Sequence, residues 1–135
     1  MVSYVLDTDI CIYIMQGLPD AVAFWERCAK STLLFSVVTK AELLSHPRLT
    51  EDDRTRINNF LANGIIVDVD EVIAEKAGEL RRRVAQRGRK LRLPDALIAA
   101  TALTEGAVLV THNVKDYRAV AEVAALHIED PLSTA

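Results

Sequence analysis

Cysteine is scarce in this 135-residue chain: Cys11 and Cys28 are the only two, and they lack the paired spacing of a zinc site. They are expected to be reduced thiols in the core of a cytoplasmic protein. Three histidines, His46, His112 and His127, are scattered along the sequence. No apolar run approaches the roughly 20 residues of a membrane span, and no basic stretch precedes an apolar one at the N-terminus, so neither an anchor nor a leader is expected. Excess positive charge is missing too. Sixteen Lys and Arg against 19 Asp and Glu give a net charge of −3, so any contact with a polyanion must come from a local patch. Repeats, low-complexity tracts and linkers are absent. What remains is one domain over residues 1–135, with 130–135 expected as a loose tail. Such a length buries about two thirds of the unfolded surface.

Apolar and amphipathic segments alternate. Strands are expected at 2–6, 33–38, 65–69, 107–110 and 125–128. Helices are expected from Thr8 to Met15, over 20–30, from Thr39 to His46, over 50–62, 70–86 and 96–105, and after Asn113. Strand–helix alternation implies a three-layer α/β domain, with a mostly parallel sheet of about five strands and helices on both faces.

The acidic residues are placed unevenly on this framework. Asp7 follows the first strand, Glu42 lies just beyond the second, Asp95 opens an almost wholly apolar helix, and Asp116 follows the fourth strand. Each has an ordinary explanation as a helix cap or dipole partner, including a capping box from Thr39 to Glu42. Together they fall at the strand ends and helix starts that share one rim of an open sheet. Carboxylates gathered there repel one another unless a cation lies between them. With no His or Cys in the set, Mg²⁺ or Mn²⁺ is the expected ion. Attack of a metal-activated water on a phosphodiester is the natural chemistry. Thr8, Asp9, Ser36, Thr111 and Asn113 stand where they would support these ligands.

A second concentration of charge lies at 81–92, where seven of twelve residues are cationic. Helix-end cations account for Arg81, Arg82 and Arg83. Arg87, Arg89, Lys90 and Arg92 lead instead toward Asp95 and are expected to contact phosphate.

Leu6-Asp7-Thr8-Asp9, Thr39-x-x-Glu42-Leu43, the run Asp95-Ala96-Leu97-Ile98-Ala99-Ala100-Thr101-Ala102, and Thr111-x-Asn113-x-x-Asp116-Tyr117 resemble the successive motifs of PIN-domain ribonucleases, most closely the VapC toxins. The resemblance covers essentially the whole chain. It implies a Mg²⁺- or Mn²⁺-dependent endoribonuclease that cuts tRNA or rRNA to stop translation, forms a homodimer, and is blocked by a VapB-type antitoxin laid across its groove. Asp7, Glu42 and Asp95 match three family acids. At the fourth position many relatives have Asp where this chain has Asn113, which makes Asp116 the nearest carboxylate. Asp9 stands where relatives often have Asn or Ser. Apolar residues of the helices at 20–30 and 50–62 are expected to line the partner contact. Two alternatives remain at this point. One is a haloacid-dehalogenase-like phosphatase, with Asp7 as nucleophile and Asp9 as acid–base; the other is a catalytically inactive protein-binding module on the same fold.

Overall fold

The computed structural model describes residues 2–132. In chain order the elements are β1 (Ser3–Leu6), α1 (Thr8–Met15), α2 (Pro19–Arg27), β2 (Thr32–Ser36), α3 (Val37–Leu43), α4 (Glu51–Leu61), β3 (Ile65–Val67), α5 (Glu71–Gln86), α6 (Leu93–Glu105), β4 (Val108–Val110), α7 (Val114–Ala121) and β5 (Ile128–Glu129). The five strands form one sheet in the order β3-β2-β1-β4-β5, with every neighbouring pair parallel. The expected three-layer α/β architecture is therefore present.

Period-two alternation sorts the strand side chains between two cores. Val5, Leu34 and Leu109 face α5, α6 and α7, where they meet Ile73, Leu80, Ile98 and Tyr117. Leu6, Leu33, Phe35 and Val110 face the other layer, with Ile10, Phe24, Ile57, Phe60 and Leu61. Both cysteines are buried and unpaired in that second core.

Several boundaries differ from expectation. Helix α3 begins at Val37, because the Ser36 hydroxyl accepts a hydrogen bond from the Val38 N–H and caps it. Thr39 and Glu42 are therefore inside the helix and form no capping box. Pro19 opens α2 as its first residue instead of closing α1, so Asp20 is not the cap. Most of the expected stripe on α2 and α4 is closed within the fold, although Ile57 of α4 also lines a groove beside α1 and α3. Phe24 is fully buried, Trp25 stacks on Phe60 with ring centroids 4.9 Å apart, and Ile57, Phe60 and Leu61 are all buried. Of the expected tail, 133–135 lie outside the described residues. Leu132 packs on the second core, and Asp130 accepts a hydrogen bond from its N–H and pairs with the His112 ring. Gly64, in the turn between α4 and β3, marks a close approach: a Cβ there would stand 2.6 Å from the Leu33 carbonyl oxygen and 2.7 Å from the Phe35 ring.

Strand order places the site. Connections leave β1 toward β2 on one side, while β4 lies on the other, so strand order reverses at the carboxyl end of β1. Ligands bind α/β sheets in the crevice at such a reversal.

Candidate active site

Asp7 stands at this reversal, one residue past β1, where its backbone N–H bonds the Val110 carbonyl at 2.9 Å and extends the ladder to β4. Rigid backbone thus fixes a carboxylate that is only 4% exposed. Its Oδ1 accepts from the Thr8 N–H at 2.8 Å and its Oδ2 from the Thr111 hydroxyl at 2.8 Å. Two such hydrogen bonds are too few to offset the loss of water. Burial first, then the negative charge of Asp9, push its pKa up to about 7, against the pull of Thr111, Thr8 and Tyr117.

Glu42 comes to the same place from the last turn of α3. Its Oε1 accepts from the Thr8 hydroxyl at 2.6 Å, and that hydroxyl lies 3.3 Å from the buried Thr39 hydroxyl. Thr8 therefore links Asp7, through its N–H, to Glu42, through its hydroxyl. Ser36 is fully buried but serves as the α3 cap, one step removed from the acids.

Asp95 projects from the first turn of α6, half-buried. Burial raises its pKa; the Arg92 cation opposes that, and the charges of Asp116 and Glu42 reinforce it. Its Oδ1 lies 3.4 Å from the Tyr117 hydroxyl. Asp116, in the first turn of α7, shares with Asp95 an open groove of about 360 Å³ lined also by Arg89, Lys90, Arg92 and Lys115. Asn113 is the α7 N-cap residue, but its side chain makes no capping bond. Its backbone N–H donates to the Thr111 hydroxyl at 3.0 Å. Of the two candidates for the fourth position, Asp116 is the one beside Asp95.

Asp9 is committed elsewhere. Its Oδ1 accepts from the Ile10 N–H at 2.8 Å and its Oδ2 from the His112 N–H at 3.0 Å, so it staples the β4–α7 loop to α1. A carboxylate tied to two backbone donors is poorly placed for the acid–base role of the phosphatase motif. The His112 ring points away, to Asp130 at 3.1 Å, with its edge against Tyr13. Among the described residues no group of three or more acids, histidines or cysteines is already placed to hold a metal ion. Asp95 and Asp116 border the open groove, Glu42 lines a second one, and Asp7 is buried.

The basic segment divides in two. The Arg81 Nε donates to the Leu91 carbonyl at 2.9 Å and folds the loop back on α5. Arg87 and Arg89 pair with Glu122 just beyond α7, at 3.5 and 2.8 Å, so both carry a structural explanation as a clasp between α5 and α7. Lys90 and Arg92, with Arg89, line the groove beside Asp95 and Asp116. Sequence reasoning missed two contributors. Lys115 lines that groove, but a lone lysine carries no periodic signal. Tyr117 follows Asp116 directly and places a phenol under the acids; a buried tyrosine looks like core until its hydroxyl is located.

Comparison with known proteins agrees with this geometry. The PIN-domain profile matches residues 4–123. Ribonuclease VapC2 of Rickettsia felis is 34% identical over 122 residues, covering 87% of this chain and 91% of the relative. The tRNA(fMet)-specific endonuclease VapC of Shigella flexneri is 28% identical over 133 residues, covering 96% and 98%. Among solved structures, VapBC2 of Rickettsia felis bound to a promoter DNA fragment superposes with a TM-score of 0.84 at 30% identity, covering 96% of this chain and 98% of that one. VapBC-1 of nontypeable Haemophilus influenzae superposes with a TM-score of 0.83 at 29% identity, covering 98% and 100%. With that profile spanning nearly the whole chain and the sheet, rim and acids arranged as described, the protein belongs to the PIN-domain family, on its VapC branch.

Proposed function

We propose that this chain is a metal-dependent endoribonuclease toxin that cuts cellular RNA, tRNA or rRNA, in the cytoplasm to stop translation, and that a VapB-type antitoxin neutralises it. The observation that carries the reading is one groove holding Asp95 and Asp116 together with Lys90, Arg92 and Lys115, a layout suited to a phosphodiester at an acidic centre. The names of the relatives, ribonuclease and tRNA(fMet)-specific endonuclease, favour RNA and make tRNA the first substrate to try.

The donor set fits Mg²⁺ or Mn²⁺. It is all oxygen, and its Asp7 carboxylate is buried against the charge of Asp9, a repulsion that a cation would relieve. Mg²⁺ is ordinarily held by one or two carboxylates, with waters and substrate phosphate filling its other positions, so a complete protein cage is not required. Asp7 and Asp95 would hold the ion, with Glu42 and Asp116 flanking it. Bound there, the ion supplies an activated water and neutralises charge on the phosphate. Thr8 and Thr111 orient the carboxylates by donating to Glu42 and Asp7. Lys90, Arg92 and Lys115 bind and orient phosphates of the strand, and Arg87 and Arg89 hold that wall in place against Glu122. A catalytically inactive binding module is not favoured, since Asp7, Glu42 and Asp95 match three family acids and Asp116, beside Asp95, can supply a fourth charge where Asn113 does not.

A second groove of about 550 Å³ starts at Glu42 and runs between α1, α3 and α4, lined by Ile12, Met15, Leu43, Leu49 and Ile57. It is the surface to which we assign the antitoxin. Structural neighbours were solved as VapBC complexes, and an apolar segment seated here would reach the acidic site. We assign a homodimer as well.

Brief expression of the wild-type chain and of Asp95→Asn, followed by mapping of new RNA 5′ ends, tests the reading. Growth arrest with a few discrete new ends, absent in the variant, is expected. No arrest and no new ends when the chain is expressed without its antitoxin would overturn it.

A further inference from the structure

Tyr117 is fully buried, in the first two turns of α7, with its ring in the core beneath α6. A phenylalanine would fill the same volume, so packing does not call for the oxygen, and a buried hydroxyl costs stability unless it is hydrogen-bonded. Its neighbours are two carboxylates: the hydroxyl donates to Asp95 Oδ1 at 3.4 Å and lies close enough to Asp7 to feel its charge. For Asp95 this is the only side-chain hydrogen bond among the described residues. Asp7, by contrast, has Thr8 and Thr111 on its two oxygens.

We propose that the Tyr117 hydroxyl is a positioning group that holds Asp95 against Asp7 in the orientation a divalent cation needs. The inference rests on the metal-dependent reading above. A phenol here is a donor, since a neutral tyrosine hydroxyl carries one O–H and Asp95 Oδ1 can only accept. It can donate to one carboxylate at a time and face the other, so it ties together acids that arrive from β1 and α6, which are remote in sequence. Loss of a group that orients a metal ligand typically weakens metal binding by roughly 10- to 100-fold.

Tyr117→Phe keeps the ring and removes only the donor. Metal binding is read without RNA, as the Mg²⁺ concentration giving half the thermal stabilisation and as Mn²⁺ affinity by electron paramagnetic resonance. Both should weaken by roughly ten-fold in the variant, while cleavage at saturating metal recovers most of the wild-type kcat. A variant with unchanged metal affinity overturns the proposal, whatever its metal-free stability. If wild type shows no response to either ion, the metal-dependent reading fails instead, and this inference with it. Should Tyr117→Phe fold poorly, wild-type protein labelled with 3-fluorotyrosine provides the test. The buried Tyr117 fluorine resonance should move on Mg²⁺ addition with the midpoint of the thermal shift, and an unmoved resonance refutes the role.

Discussion

Removing the charge of Asp7 should make the metal-free protein more stable at neutral pH, although it disables the site. Burial and Asp9 raise this carboxyl to about 7 in the folded chain, against about 3.9 when unfolded. Between those values the folded state holds a proton that the unfolded state has released. Stability is therefore fully present below about pH 4, declines as pH rises to about 7, and is flat above that. The gap between the folded and unfolded values corresponds to about 4 kcal/mol as an upper limit. In Asp7→Asn the amide oxygen still accepts from the Thr8 N–H, while the amino group cannot accept from the Thr111 hydroxyl, which costs about 1 kcal/mol. The variant should thus be more stable than wild type by about 2–3 kcal/mol at pH 8 in EDTA. That raises Tm by roughly 6–12 °C in a chain of this size. Near pH 4 it should be less stable by about 1 kcal/mol. Saturating Mg²⁺ should then stabilise wild type far more than the variant. Urea or thermal unfolding at several pH values, with and without Mg²⁺, checks each step. A stability difference that stays constant with pH, or a variant less stable at pH 8 without metal, refutes the reasoning.

Replacing Lys90, Arg92 and Lys115 together with Gln should weaken RNA binding and reduce the slope of log affinity against log salt by about 2, with folding unchanged. Replacing Arg87 should instead lower stability by about 1 kcal/mol or less and leave that slope nearly intact, because that exposed side chain pairs with Glu122 and does not line the groove. Asp116→Asn should raise the Mg²⁺ requirement for cleavage more than Asn113→Ala does, and equal effects in a metal titration would count against Asp116 as the fourth acid. Gly64→Ala should cost about 1–3 kcal/mol in denaturant unfolding, because its Cβ meets the Leu33 carbonyl and the Phe35 ring.

Much of the fold was legible because strand and helix periods do not resemble each other. The runs at Tyr4–Leu6, Leu33–Phe35 and Leu109–Val110 lie where apolar strands were expected, and α5 carries Ile73, Ala77, Leu80 and Val84 on one buried face. Boundaries were less legible where local chemistry competes. Ser36 takes the place of Thr39 as a cap because it sits where the backbone is still extended, a property of φ and ψ that no residue name records. The apolar faces of α2 and α4 were read as a contact stripe, since sequence alone does not show that they close on each other through Trp25 and Phe60. Convergence of Asp7, Glu42 and Asp95 followed from topology and motif order. The division of labour within 81–92 did not, because it depends on Glu122, remote in sequence and brought close only by α7. Tyr117 was hidden for a similar reason: what distinguishes it from a core aromatic is the position of one oxygen.

The central claim is that these acids make an RNA-cutting site that works only with a divalent ion. Purified protein freed of its antitoxin, incubated with total tRNA, should cleave in Mg²⁺ or Mn²⁺, stop in EDTA and resume when the ion is restored, while Asp95→Asn stays inactive throughout. Cleavage at an undiminished rate in EDTA, or by Asp95→Asn, would contradict it.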